Sequence, residues 1–422
     1  MSLIKGDDFL TATTLSSGRT FYKLFSELPI TDASNLVFPA TTLANHCYDS
    51  MFSGCTSLTG APLSLPAMEL MQGCYDNMFR SCTSLISAPE LPATTLAHAC
   101  YSNMFYGCTS LTSAPILPAT ALTNYCYSSM FNGCTGLTSA PSLPATTLAE
   151  SCYQSMFNGC TGLTSSPNLP ATTLADYCYR SMFEGCTSLT ALPSLPATLM
   201  ATSCYSKMFA GCTGITGVSS NALPSTSLAN YCYEGMFSGC TGIISNSGSY
   251  NLPSLPAITL KQSCYAFMFA GCAGIHKLPN GYLDNGNLAE TCYQGMFRDT
   301  SFIGASNLLP KTTLANGCYY EMFSGCKFLT TAPVLNANIL TVDCYRELFS
   351  GCISLRKIEC YATDISASNC TTGWVYDLPQ GNGDFYCKST ARSAWDAKSS
   401  GGPSPSAASY EGYPNGWTIH NI

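Results

Sequence analysis

The chain has 422 residues, 46% hydrophobic and only 10% charged, against roughly 25% charged in an average soluble domain, so Ser, Thr, Asn and Gly must cover its surface. With 17 Lys and Arg, 24 Asp and Glu, a net charge of −7 and no basic cluster, it has no field to hold a phosphate backbone, which excludes nucleic acid. Polar residues interrupt every hydrophobic run well short of the ~18 positions of a membrane helix, so no membrane span is expected.

From the N-terminus, Met1-Ser2-Leu3-Ile4-Lys5-Gly6-Asp7-Asp8 lacks the positive region and apolar core of a secretory signal, so Met1 is read as a cytoplasmic start or the chain as a fragment. Thr20-Phe21-Tyr22-Lys23-Leu24-Phe25 is a decayed copy of a unit that then recurs. The unit is Cys-Tyr-x-x-Met-Phe-x-x-Cys, and its Cys-Tyr pair falls at Cys47, Cys74, Cys100, Cys126, Cys152, Cys178, Cys204, Cys232, Cys264, Cys292, Cys318 and Cys344, spaced 26 to 32 residues apart. Such a period signals a solenoid, whose units bury a core only by stacking. Residues 1–46 are expected to form an N-terminal cap with the degenerate first repeat, 47–360 the solenoid, and 361–422 a small C-terminal capping module.

Within the unit Leu91–Pro115, Cys100, Met104 and Cys108 recur every four residues with Tyr101 and Phe105 beside them. This spacing predicts a short helix packing inward by one stripe. Leu111 to Ala114 is too short for a helix and ends at Pro115, so it reads as a short strand stacked in parallel on its equivalents one coil away. The fold class is thus an α/β repeat, a right-handed solenoid of about 12–13 coils, each a short parallel strand plus a short helix. The unbroken tyrosine column, Tyr48 to Tyr345, is expected to form a packing ladder whose hydroxyls reach the rim, with a sugar-stacking platform as the alternative.

Three consecutive coils carry insertions at one point of the repeat. They hold Val218 to Asn221, Ser245 to Asn251 and Asn280 to Asn285, in loops rich in Tyr, Ser, Gly and Asn. Insertions of this kind map to one face of a solenoid, often the binding face. The candidate recognition residues are Ser219, Asn221, Asn246, Tyr250, Asn251, Asn280, Tyr282 and Asp284, with Tyr250 and Tyr282 expected to be exposed on adjacent loops.

Of 26 cysteines, 23 occupy two repeat columns, leaving Cys360, Cys370 and Cys387. A helical Cys-x7-Cys would hold its two cysteines ~12 Å apart, too far for a disulfide. Thr300 interrupts the second column, so a fixed cross-coil pairing would strand a partner. Two ladders of buried free thiols are therefore expected, with some cross-coil disulfides as the alternative, and free thiols favour a reducing or anaerobic setting. No Cys-x-x-Cys occurs, and Asp284-Asn285-Gly286 supplies too few oxygens for a calcium loop. His46, His98, His276 and His420 share no repeat position, and Glu150, Asp176 and Glu290 fall in a column of variable polar residues. No phosphate-cradling glycine motif is present, so no catalytic residue, cofactor or metal is expected.

Leu-Pro-x-x-x-x-Leu, a short motif ending in Phe, Gly-Cys and Ser/Gly-Leu-Thr resemble, over residues 20–360, the BspA-type leucine-rich repeats of bacterial surface proteins. Cys-Tyr-x-x-Met-Phe stands where that family commonly has Ile-Gly-x-x-Ala-Phe. The tail, with Cys370, Trp374, Gly383-Asp384-Phe385, Trp395 and Gly416-Trp417-Thr418-Ile419, resembles a C-terminal module that accompanies such repeats in gut anaerobes and their phages. The resemblance implies a leucine-rich-repeat fold and no shared catalytic residues. The expected function is non-enzymatic recognition or adhesion, binding a glycan or protein through an extended surface at a cell surface, outside the cell or on a virion. The alternatives are a structural virion component, in a phage tail or as head decoration, without a host ligand, and then a hydrolase in the C-terminal module.

Overall fold

The computed structural model describes residues 12–246, 248–284, 286–304, 308–379, 381–400 and 407–422. Met1 to Asp8, Asn285 and the Gly401–Ser406 loop lie outside the described residues. The chain divides into two compact units, one of Met1–Ala197 with Lys207–Ile215, the other of Thr198–Ser206 with Thr216–Ile422.

The segment predicted to be helical is not an α-helix. Around Cys100, alternate amides bond within the coil to the carbonyl three residues back, Cys100 to Ala97, Ser102 to Ala99, Met104 to Tyr101 and Cys108 to Phe105. The amides between them donate to the next coil, Tyr101 to Cys126, Asn103 to Ser128, Phe105 to Met130 and Gly107 to Asn132. An α-helix would satisfy every one of these amides internally and leave nothing for a neighbouring coil. The backbone is instead a ribbon of overlapping turns with a left-handed residue every fourth position, Ala99 at φ 53°, Asn103 at φ 52° and Gly107 at φ 72°. A left-handed residue at the third position is what a type II turn requires, and glycine takes it without a Cβ penalty. The same geometry explains the apolar stripe. A period of four drifts by ~40° per repeat on an α-helix, whereas this ribbon keeps Cys100, Met104 and Cys108 on one side.

The expected strands are reduced in the same way. In the column of Ser113 the pairing is by isolated parallel bridges, such as Ser87 to Ser113 and Asp32 to Gly60, and further bridges join Ser64 to Glu90 and Glu69 to Thr95. Prolines flank these points and cannot donate to a ladder, so pairing stops after one residue. In the second unit bridges run Leu199 to Ser227, Ser227 to Thr259 and Thr259 to Asn287.

Stacking supplies the core. Cys100, Met104, Phe105, Cys108 and Leu111 are fully buried, as are most of their counterparts in the other full copies. Tyr101 stacks on Tyr75 and Tyr127 at 5.7 and 5.8 Å, and Phe105 on Phe79 and Phe131 at 5.7 and 5.6 Å. The tyrosine hydroxyls do not reach the rim as expected: those of Tyr48, Tyr75, Tyr101 and Tyr127 are buried without a hydrogen-bond partner. The ring's apolar body outweighs its polar tip here, because the stack leaves no room for the ring to tilt outward. At the N-terminal end Phe21 stacks on Tyr48 and Phe25 on Phe52, with Arg19, Lys23 and Glu27 at the left-handed positions. The decayed copy is thus a coil of the same backbone.

All 26 cysteines are buried free thiols. The helical-rise argument against pairing within a coil fails with the helix. In the second column the thiol is held by a hydrogen bond to a phenylalanine carbonyl of the preceding coil, Cys108 to Phe79 at 3.1 Å and Cys134 to Phe105 at 3.0 Å. That carbonyl already accepts an amide from its own coil, as Phe105 does from Cys108, so the thiol takes up its second lone pair. At the interruption, the Thr300 hydroxyl donates to the Phe297 carbonyl of its own coil instead.

Past the last full repeat, the ribbon continues beyond residue 360. Asn369, Gly373 and Asp377 are left-handed, and Tyr345, Phe349 and Gly351 donate to Cys370, Trp374 and Tyr376. Cys370 therefore extends the first cysteine column and Trp374 the methionine column. Two short strands, β1 (Ser245–Asn246) and β2 (Ser249–Tyr250), form an antiparallel hairpin. Strands β3 (Lys357–Cys360), β4 (Asp384–Cys387) and β5 (Thr418–Asn421) form a parallel sheet in the order β3-β4-β5. One helix, α1 (Arg392–Ser400), packs Trp395 on Trp374 at 5.3 Å and edge-on to Phe385 at 5.2 Å. Among the described residues, no helix is long and apolar enough to cross a membrane.

Candidate recognition surfaces

The ionisable groups stay scattered over the coils. His46 Nδ1 lies 3.2 Å from Asp49, His98 packs on Tyr125, and His420 lies 2.7 Å from Asp384. Glu150 accepts from Asn124 and Tyr125 in the preceding coil. Among the described residues, no three His, Cys, Asp or Glu side chains are placed to hold a metal ion. Burial pushes the second-column thiols Cys82 and Cys272 up to about 12, leaving little thiolate at neutral pH.

Asp76 is a repeat-face carboxyl held in an unfavourable setting. Burial first, then the charge of Asp49 one coil away, pushes it up to about 6, while Asn103 and Ser102 pull the other way. Its Oδ1 is buried without a partner. A carboxyl raised in the folded state binds its proton more tightly there than in the unfolded chain. Stability is therefore highest below its ordinary value of 3.8, falls as pH rises through about 6, and stays reduced above that. Asp76→Asn should raise stability at pH 7 by about 1–2 kcal/mol after allowance for partial exposure. Denaturation between pH 4 and 7 should also lose part of its slope in the variant; an unchanged profile would show that Asp76 is not strained.

The three insertions come together in the second unit. Val218 donates its amide to Asn251, a backbone bond between the first and second insertions, and Ser254, just past the second, donates to Ser220. The longest folds as the β1–β2 hairpin, with Gly248 donating to the Asn246 side chain and the buried Ser245 hydroxyl donating to the Lys277 carbonyl. The third is tied to the second by Tyr282, whose hydroxyl donates to the Pro253 carbonyl at 2.9 Å.

Tyr282 is accordingly not exposed as expected; it is half-buried, and burial raises its hydroxyl above the ordinary phenol range. Its hydroxyl finds a partner in the Pro253 carbonyl, two residues past the second insertion, and satisfying that polar tip holds the ring against the preceding coil. Tyr250 is 45% exposed, and Ser219, Asn221, Asn246, Asn280 and Asp284 are exposed, while Asn251 is half-buried. Lys311 donates to the Asp284 backbone carbonyl at 2.7 Å.

A second surface, which the sequence reading missed, lies in the first unit. A groove of about 320 Å³ is lined by Ala88, Pro89, Leu91, Pro92, Pro115 and Pro118 together with Glu90 and Ile116. Ile116 is 80% exposed and occupies the place of Glu90 one coil on; Leu63, 79% exposed, precedes Ser64, the bridge partner of Glu90. The available signal was an apolar residue after Ala-Pro at Leu63 and Ile116, where later coils carry Ser142, Asn168 and Ser194.

A comparison with curated proteins finds no match. Among solved structures, the chain is similar to a protein whose title reads "Crystal structure of a leucine-rich repeat protein from Bacteroides ovatus ATCC 8483 at 1.19 A resolution", at 17% identity and a TM-score of 0.44, over 97% of this chain and 94% of that one. The family model described as "BspA type Leucine rich repeat region" matches residues 31–164 and 150–276, in 6 copies. The matched spans together cover more than half of the chain, and the protein belongs to the BspA-type leucine-rich repeat family.

Proposed function

We infer that this is a non-enzymatic recognition protein, exported or carried on a virion, that binds a protein or glycan through exposed faces of its stacked, right-handed coils. The observation that supports it most is the insertion cluster. Three loops held to one another by backbone hydrogen bonds and by Tyr282 present Tyr250 with Ser219, Asn221, Asn246, Asn280 and Asp284 around it. Loops tied to one another by hydrogen bonds lose less conformational freedom on binding, and a tyrosine among small polar groups gives contact area together with adaptable hydrogen bonding.

Tyr250→Ala is expected to leave stability within ~0.5 kcal/mol, as for an exposed loop position, and to abolish binding on glycan arrays or to surface proteins of a host cell. Tyr282→Phe should instead destabilise by about 1 kcal/mol through the orphaned Pro253 carbonyl, and should weaken binding only by loosening the loops. Binding unchanged in Tyr250→Ala would move the site away from the insertions.

The groove supports a second contact in the first unit. Proline and isoleucine walls beside the Glu90 carboxylate suit a protein segment that places an apolar side chain next to a Lys or Arg. Ile116→Ser, which installs the residue that Ser142 and Ser194 carry one and three coils on, should remove that contact without disturbing the stack.

A further inference from the structure

The coil at residues 370–377 changes the cysteine arithmetic. With Cys370 in the first column, that column has thirteen members and the second has eleven, and of 26 cysteines only Cys360 and Cys387 belong to neither. These two are partners in register, the last residues of β3 and β4. Burial alternates identically along both strands, so Cys360 beside Ile358 and Cys387 beside Phe385 point to the same buried face. Partners in a parallel ladder lie ~4.8 Å apart, inside the 4.4–6.8 Å window that a disulfide spans between Cα atoms. We propose that Cys360 and Cys387 are a redox pair, joining as a disulfide in oxidising surroundings and tying the segment that carries β4, α1 and β5 to the last repeat strand.

The column thiols are poorer partners. Each column holds an odd number, and in the second a disulfide would strip a phenylalanine carbonyl of its thiol donor. Nearest to the pair, the Cys370 thiol donates to the Ile365 carbonyl at 3.3 Å and the Cys344 thiol to the Cys370 carbonyl at 3.9 Å. Cys360 and Cys387 lie outside the two columns and sit side by side on one face of the sheet. The oxidant is a small-molecule disulfide such as oxidised glutathione. One cysteine thiolate attacks it, releasing one glutathione thiol and leaving a mixed disulfide; the second thiolate attacks the protein sulfur and releases the other. Two electrons pass from the protein thiols to the glutathione disulfide, and the two protons leave with the departing thiols. Because both cysteines are fully buried, the exchange needs β4 to open or proceeds as the chain folds.

The full chain, equilibrated in glutathione buffers from reduced to oxidised, acid-quenched and then alkylated in denaturant, is digested with chymotrypsin without reduction. This protease cuts between Cys360, Cys370 and Cys387 at Tyr361, Trp374 and Tyr386, so the three report separately. The expected result is one cross-link between Cys360 and Cys387, with the 24 column cysteines alkylated. Thermolysin cleavage within residues 378–422 should then slow by at least ~10-fold in the oxidised form, because the cross-link limits opening. Cys387→Ser should abolish both effects, whereas Cys352→Ser, a column thiol, should leave both intact. A cross-link from Cys360 to Cys344 or Cys370, full alkylation at the oxidised end, or oxidant-dependent protection surviving in Cys387→Ser would each overturn the pair.

Discussion

Phe157→Ala is expected to destabilise the first unit by about 3–5 kcal/mol, the range for removing a fully buried phenylalanine. The ring is wholly buried and stacked on Phe131 and Phe183, at 5.7 Å on each side, so the cavity opens inside a column that cannot collapse sideways. The backbone holds the coils at their spacing, since Phe157 donates to the Met182 carbonyl and its own carbonyl accepts both the Cys160 amide and the Cys186 thiol. The loss should therefore appear as a lower midpoint in chemical denaturation. A slope reduced as well would mean that the stack splits at the cavity and the two sides unfold separately. A change below ~1 kcal/mol would mean that neighbouring rings refill the space, against the rigid ladder described above.

Truncation after Asp377 should be the more damaging change. It removes β4, α1 and β5, and with them Phe385 and Trp395, which lie 6.0 and 5.3 Å from Trp374. It also removes Gly412, whose carbonyl accepts the Trp374 indole at 2.7 Å. Each aromatic side chain so uncovered forfeits on the order of 3–5 kcal/mol of burial and leaves an apolar end with open backbone groups. Aggregation on gel filtration and fraying of the second unit, seen as lost amide protection at residues 344–377, are the expected readouts. A truncated chain that stays monomeric with unchanged melting would show that the coil at 370–377 closes the stack by itself.

The period of 26 residues, the columns that fill the core and the decayed first copy were all legible, because each rests on which side chains avoid water. The choice between helix and turn ribbon was not. Apolar residues every four positions fit both, and the decision falls to the Tyr101, Asn103, Phe105 and Gly107 amides, which find their carbonyls in the coil 26 residues further on. A local hint existed: Gly107 and Asn103, residue types that tolerate positive φ, stand four apart, and glycine recurs at the position of Gly107 in most other units. The same limit explains Tyr282. Its insertion and its place beside the other two could be counted from spacing alone, but the carbonyl that takes its hydroxyl, Pro253, lies 29 residues away. Repeat spacing and core membership are properties of the chain's own pattern of apolar residues. Where each backbone donor and each polar tip ends depends on what the neighbouring coil presents, and that is decided only when the coils are stacked.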